Sequence, residues 1–406
     1  MRGAGWVAVG SALSQLAILG ATPYLARTFT PAEFGALALL TTVSNIAVAT
    51  ACLRFDMALP SARDPFEARR LLTLCLMCCM SAATAVGLAL TVGDMAPSLR
   101  SNMAAPFNSP VVVAVCIALA GAYQAAALWL IGKGAYRVLA TLRTSQGSMF
   151  AALGIVPGLG LLWAHALSFG GGLATLAVTA WRGKDGKNST IWDTAVRHKQ
   201  LPLLSLPGAL LDAVGVSVCL WVISWAYGLG LAGEYSQVQR LIGAPLMLVS
   251  MSLGQVLLRQ TAEATDSPRE LRALIIGTLK LLLIGAVVGM MLVSTLGEPL
   301  LQLVLGAQWQ VDRSFITLVA AAIFIRACIS PLSSVLVSLK RFDLGFRWQA
   351  TYFCSATALL PLVAYTADAD TFLIFFVFHE LVLYGLYLWI ILRAIPEQHS
   401  CVESLV

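Results

Sequence analysis

The sequence predicts an all-α polytopic membrane protein with about twelve transmembrane helices. Three observations carry this expectation. Of the 406 residues, 59% are hydrophobic and only 11% are charged, whereas a soluble chain carries charge at about 25% of positions. So few charges cannot cover a water-facing surface, and most of the surface must meet lipid. Apolar runs of about 20 residues recur to the end of the chain. Basic residues gather in alternate connections between those runs.

The expected spans are about 4–26, 33–53, 71–93, 109–131, 144–160, 163–181, 203–227, 233–257, 272–295, 314–338, 348–366 and 371–392. The first could pass for a signal peptide. It runs on into "TPYLARTF" without a small-residue cleavage site, so it reads as a retained helix. The fifth and sixth are separated by Pro157 and a Gly-rich stretch, and reading them as one broken segment would change the topology.

Charge sets the expected orientation. With the N-terminus inside, the inside loops hold Arg54, Arg63, Arg69 and Arg70, then Lys133, Arg137 and Arg143, then Arg182, Lys184, Lys187, Arg197 and Lys199. They continue with Arg259, Arg269 and Arg272, then Lys340, Arg341 and Arg347, and Arg2 and Arg393 lie inside as well. Only Arg27, Arg100 and Arg313 fall outside. This bias places both termini on the cytoplasmic side of the membrane and favours an even number of spans. It also accounts for the net charge of +6. No basic run interleaved with aromatics lies on a polar face, so a nucleic-acid partner is not expected.

The longest inside connection, "RGKDGKNSTIWDTAVRHKQ", divides the chain into an N-terminal six-helix lobe at 1–181, a linker at 182–200, a C-terminal six-helix lobe at 201–393 and a tail at 394–406. "EFGALAL" after the first helix and "AGEYSQV" after the seventh are features shared by the two lobes, as in transporters built by duplication.

Chemistry-bearing motifs are absent or misleading. "CLMCC" at 75–79 lies in an apolar run without His or carboxylate, so its cysteines read as small helix-facing residues. "GKDGKNST" lacks the spacing of a phosphate-binding loop, and the "NST" at Asn188 falls on the inside. His379 and Glu380 lack the second histidine of a zinc site, and His165 and His198 have no evident metal partners. No catalytic residue, metal site or cofactor is expected, and the short outside loops argue against an enzyme.

Ionisable residues within or beside the apolar runs are the informative ones: Arg54, Asp56, Asp212, Arg240, Lys280, Arg326 and Glu380. A basic side chain at mid-bilayer costs about 2.5–3.5 kcal/mol on the insertion scale and normally faces a bundle interior or a wet cavity. A cavity lined by Arg240, Lys280 and Arg326 would suit an anion, since arginine holds phosphate with a planar fork and lysine acts as a point charge. The alternatives are snorkelling to the interface, above all for Arg54 and Asp56, and internal pairing of the arginines with Asp212 or Glu380, which would serve folding. Pro23, Pro157, Pro207, Pro245, Pro331 and Pro361 each permit a bend.

Several stretches resemble the lipid-linked oligosaccharide flippases of bacterial O-antigen, capsule and exopolysaccharide export, the polysaccharide-transporter branch of the MOP superfamily. They are "LARTFTPAEFGALAL" at 25–39 with Arg27, Pro31, Phe34 and Gly35; "LRFDMALP" at 53–60 with Arg54, Phe55, Asp56 and Pro60; and "YQAAALWLIGKGAYRVLATLR" at 123–143. "SLPGALLDAVG" at 205–215 follows, then "AGEYSQVQRLIGAPLMLVSMSLGQVLLRQ" at 232–260, "LGAQW" at 305–309 and "SPLSSVL" at 330–336. Asp212 departs from the pattern, standing where the family has a neutral polar residue.

The resemblance implies a MATE-like fold of two six-helix lobes around a central cavity, and alternating access. It implies a polyprenyl-diphosphate-linked glycan as substrate, the bilayer as partner, and a glycan polymerase and chain-length regulator as companions. Arg54, Arg240, Lys280 and Arg326 would then meet the diphosphate, and Arg27, Asp56, Asp212 and Glu380 would serve gating or ion coupling. Arg54 would pair with Asp56 or a neighbouring helix in one state and meet the diphosphate in another. A cation-coupled antiporter of small molecules on the same fold would require acidic cavity residues. A membrane glycan polymerase or ligase would require larger outer loops.

Overall fold

The computed structural model describes residues 2–62, 64–95, 107–179, 190–263 and 267–395. Arg63, Arg100, Arg182, Lys184, Lys187, the Asn188 sequon, Cys401 and nearly all of the expected tail lie outside the described residues. Every regular element among the described residues is a helix, and nine stretches are long and apolar enough to cross a membrane, with Leu201–Leu246 taken as one. The chain is a multi-pass membrane protein. It folds into two compact units: residues 1–236 with 304–309, and residues 237–303 with 310–406.

In the first unit, α1 (Arg2–Thr28) and α2 (Pro31–Thr50) are joined by a two-residue link. "TPAE" is a capping box with proline at the first helical position. The Thr30 hydroxyl accepts from Glu33 N at 3.3 Å, and the Glu33 carboxylate accepts from Thr30 N at 2.8 Å. A turn and a 3-10 helix (Phe55–Ser61) lead to α3 (Pro65–Met95), followed by α4 (Pro110–Gly132) and α5 (Tyr136–Gly154). The sixth span is made of α6 (Gly160–Ser168) and α7 (Gly171–Thr179).

The expected fifth and sixth spans fall on separate helices, and of these Gly160–Thr179 is among the nine apolar stretches while Tyr136–Gly154 is not. Gly158 and Gly160 have φ of +80° and +75°, which a side chain would resist, and the chain turns there. The fifth helix begins at Tyr136, earlier than the apolar run suggests. Arg137 and Arg143 interrupt that run, but both lie on α5 rather than in a loop. Arg143 Nη1 donates to Ser11 Oγ at 2.6 Å, and the Arg137 guanidinium lies 5.2 Å from the Trp6 ring centre. Both contacts lead to α1, which packs closely along α5. A Cβ added at Gly10 would lie 2.6 Å from Ala140 Cα, and one at Gly147 would strike the Ser14 backbone. Small residues let membrane helices approach in this way.

After α8 (Ile191–Arg197) and a π-helical turn (Leu201–Ser205), α9 runs from Leu206 to Glu263. It is two helices in one. Gly228, with φ 89° and ψ 170°, breaks it between the expected seventh and eighth spans, a conformation open essentially to glycine alone. The boundary between the two units falls in the second arm, after Ser236.

The second unit continues with α10 (Pro268–Leu305), α11 (Arg313–Ile329), a 3-10 turn (Ser330–Ser333), α12 (Ser334–Ser338), α13 (Phe342–Thr366) and α14 (Ala369–Arg393). α11 packs on α14, which packs on α13. Phe324 of α11 fills the space above Gly289 of α10, and the Thr261 and Ser338 hydroxyls meet at 2.7 Å. Residues 304–309 belong with the first unit. Trp309 is fully buried there, edge-on to Phe34 at 5.3 Å, and its indole N–H donates to Ala26 O at 2.9 Å.

Candidate functional site

The second unit holds a buried charge cluster. Arg326 projects from α11, Tyr352 from α13 and Glu380 from α14. Arg326 donates from Nε at 3.3 Å and Nη2 at 3.1 Å to Glu380 Oε2, and from Nη2 to the Tyr352 hydroxyl at 2.9 Å. Tyr352 in turn donates to Glu380 Oε1 at 2.6 Å. Glu380 is 0% exposed, while the Arg326 side chain keeps 25% of its surface. Both oxygens of the carboxylate are thus engaged, while the arginine side chain is only partly buried.

Helical spacing builds this cluster. Trp348, Tyr352 and Ser355 stand at i, i+4 and i+7 on α13, and Glu380, Tyr384 and Tyr387 repeat that spacing on α14, so each trio shares a face. Trp348 stacks on Tyr387 at 4.1 Å, and Arg326 lies 6.0 Å and 5.9 Å from the Tyr352 and Tyr384 ring centres. His379 Nε2 meets Ser355 Oγ at 3.1 Å, and its Nδ1 is buried with no hydrogen bond among the described residues, 4.0 Å from Glu380 Oε1. Tyr352, Tyr384 and Ser355 are not among the site residues expected from the sequence. The i, i+4, i+7 spacing of polar and aromatic residues, repeated on two helices, is the signal that could have found them.

Of the open alternatives for Arg326, the structure contains the internal pair with Glu380. Arg240 lies partly buried on the second arm of α9 and makes polar or electrostatic interactions of its own. Lys280 is exposed on α10 and makes no hydrogen bond or ion pair among the described residues. No described contact joins it to Arg326 or Arg240.

The first unit holds the remaining candidates. Arg27 is exposed at the end of α1 and donates from Nη1 to Pro23 O at 2.7 Å and to Val304 O at 3.4 Å. Asp212 is exposed on the first arm of α9 and is not without partners. Arg54 and Asp56 flank Phe55 in the turn after α2. The helix stops at Thr50 because Leu53 and Arg54 take φ of 49° and 64°, a left-handed conformation that costs side-chain-bearing residues roughly 1–2 kcal/mol each.

Arg54 and Asp56 are neighbours without a direct ion pair. Arg54 Nη1 donates to Ala49 O at 3.4 Å, and Asp56 Oδ2 accepts from Gln124 Nε2 of α4 at 3.3 Å. Asp56 is 1% exposed. Burial pushes its carboxyl above the usual range, and the Gln124 hydrogen bond and the Arg54 charge oppose that only in part.

The cysteines of "CLMCC" divide by helical face. Cys75 and Cys79 are buried, with Cys79 Sγ 3.4 Å from Cys52 Sγ, while Cys78 is only partly buried. No group of three or more His, Cys, Asp or Glu side chains among the described residues is arranged to hold a metal.

Residues 209–312 match the family model described as polysaccharide biosynthesis protein. No curated protein matches the chain in sequence. Among solved structures, the chain is similar to an inward-facing multidrug resistance MATE family transporter of the MOP superfamily, with TM-score 0.63, 13% identity, and 97% of this chain and 93% of that one covered. It is also similar to the eukaryotic MATE transporter AtDTX14, with TM-score 0.57, 14% identity and coverage of 97% and 96%. An outward-facing MATE family transporter aligns with TM-score 0.56, 12% identity and coverage of 96% and 94%. The all-helical fold expected from the sequence is therefore the fold of the MATE transporters of the MOP superfamily.

Proposed function

We propose that this chain is a flippase. It carries polyprenyl-diphosphate-linked oligosaccharide repeat units from the cytoplasmic to the periplasmic leaflet of the bacterial inner membrane, by alternating access and without ATP hydrolysis of its own. The single observation that carries the reading is the match of 209–312 to a polysaccharide biosynthesis family within a chain of MATE fold. Neither half suffices alone. The fold admits many substrates, and the family description names a pathway rather than a step.

The excess of basic residues at membrane depth supports a diphosphate. Arg54, Arg240, Lys280 and Arg326 are the candidates to meet it, with Arg27, Asp56, Asp212 and Glu380 as gating or coupling groups. Arg326 keeps 25% of its side-chain surface while Glu380 holds its guanidinium, and a planar guanidinium suits phosphate oxygens. A glycan polymerase and a chain-length regulator would receive the product.

A second reading, export of small molecules by cation antiport, draws on the likeness to multidrug transporters. Purified protein in liposomes distinguishes the two. The flippase reading expects a polyprenyl-diphosphate glycan loaded in one leaflet to become accessible in the other without added ATP. Failure with such glycans, together with cation-driven movement of a small organic cation, would overturn it.

A further inference from the structure

The turn between α2 and α3 contains an unused donor and an unused acceptor. Asp56 Oδ1 and Arg54 Nε are both buried and neither has a hydrogen-bond partner among the described residues. They lie two residues apart, across a turn held by two consecutive left-handed residues, Leu53 and Arg54. A fully ionised carboxylate with one bare oxygen is poorly tolerated in such a place, and a neutral acid is tolerated better.

Among the described residues, the groups facing Asp56 are few. Arg54 and Cys52 come from its own turn, Cys79 from α3 and Gln124 from α4. The π-helical turn at Leu201–Ser205, which also packs on this 3-10 helix, brings no titratable group. No second acid is present among these groups to share a proton, and only Arg54 is cationic.

We propose that Asp56 is a proton-binding site, and that losing the proton closes Asp56 Oδ1 onto Arg54 Nε and rebuilds the turn. The O–H bond of the acid breaks, its electron pair stays on Oδ1, and the proton passes to water. The Arg54 N–H then donates to the new carboxylate. Taking up a proton reverses the change and restores the left-handed turn seen here. Proton affinity is set by burial, which raises it, against Gln124 and Arg54, which lower it. The use of this switch in a transport cycle rests on the flippase reading; the titration itself does not.

The test is infrared difference spectroscopy of the full-length protein in lipid nanodiscs across a pH series, reading the C=O stretch of protonated carboxylic acids. A protonated-acid signal is expected to persist well above the ordinary aspartate value of about 3.9 and to vanish in Asp56→Asn. Arg54→Gln is expected to move its midpoint upward by about one pH unit or more, because the ionised acid loses its partner. Gln124→Leu is expected to move it the same way. A wild-type signal unchanged by Asp56→Asn, or one titrating in the ordinary range, overturns the proposal. Should Asp56→Asn not accumulate, unchanged midpoints in both Arg54→Gln and Gln124→Leu overturn it instead. None of these readings needs a substrate, so a chain that fails to move glycans leaves the result standing.

Discussion

Arg326 and Glu380 form a 3.1 Å ion pair between α11 and α14, and Tyr352 donates to the same carboxylate at 2.6 Å. A carboxylate with no exposed surface depends on that arginine. Removing one partner of a buried pair costs about 3–5 kcal/mol, whereas replacing both with neutral groups is often harmless.

Arg326→Ala is therefore expected to deplete the protein from the membrane. Arg326→Lys should restore it partly, keeping the charge but not the fork. The double variant Arg326→Met with Glu380→Gln should accumulate normally, which membrane immunoblots and thermal midpoints in detergent would measure. Export then tests the arginine itself. Normal glycan export by that well-expressed double variant would sink a diphosphate role for Arg326.

Gly35 and Gly233 bring α2 against the second arm of α9. A Cβ at Gly35 would collide with the Leu229 carbonyl, and one at Gly233 with the Pro31 carbonyl. Backbone atoms cannot rotate away, so Gly233→Val should force the helices apart. Overpacking of this kind costs about 1–3 kcal/mol. A lower thermal midpoint is expected for Gly35→Val and Gly233→Val but not for Gly345→Ala, where no atom of the described residues lies within 4 Å. Equal midpoints for all three would show that the crossing yields at no cost.

Trp309 closes "LGAQW" onto the first helix. Its ring meets Phe34 edge-on and its N–H is spent on Ala26 O, while Gln308 Nε2 donates to the Ala26 and Phe29 carbonyls. Trp309→Ala is expected to cost about 3–5 kcal/mol. Trp309→Phe keeps most of the packing and should cost nearer 1 kcal/mol, the net worth of one hydrogen bond. Chemical denaturation of the detergent-solubilised protein would rank the two, and a Phe variant as unstable as the Ala variant would refute this division.

The spans were legible because lipid imposes a length and a composition on every crossing helix. The start of the fifth helix was not, because Arg137 and Arg143 read as loop charges until their partners on α1 are known. The same limit applies to the site. Arg326 and Glu380 stand out in the sequence as ionisable residues in apolar runs. Their mutual distance depends on how α11, α13 and α14 pack, and no local pattern records that. "EFGALAL" and "AGEYSQV" were each legible as the opening of a helix. That Gly35 and Gly233 within them touch is a tertiary fact. The left-handed turn at Leu53 and Arg54 carries no glycine, so nothing in "LRFDMALP" announced it.

Asp56 should make stability depend on pH in an unusual direction. Its folded-state proton affinity is raised by burial. Between the unfolded and folded values the native state binds more protons than the unfolded one, so stability falls as pH rises through that window. Asp56→Asn has no such proton to lose. The variant should equal or trail the wild type below the window and exceed it above, in thermal midpoints taken across a pH series. A difference that is flat with pH, or that grows toward acid, would contradict the raised affinity.

The orientation inferred from charge can be tested at Trp192. The residue lies on α8, is 75% exposed, and precedes Asp193, whose carboxylate caps Thr190 and is held below its usual range by those hydrogen bonds. The helix is fastened at its other end, where Arg197 and His198 reach Glu67 at 3.4 Å and 3.2 Å. A cysteine at 192 therefore reports a fixed, accessible point in the expected inside connection. In a background with Cys78, Cys354 and Cys401 replaced, Trp192→Cys should resist a membrane-impermeant maleimide in intact cells and react in inverted vesicles. Ready labelling in intact cells would reverse the topology. It would also put Arg54 and the turn it shares with Asp56 on the periplasmic side, where they could not receive a diphosphate arriving from the cytoplasm.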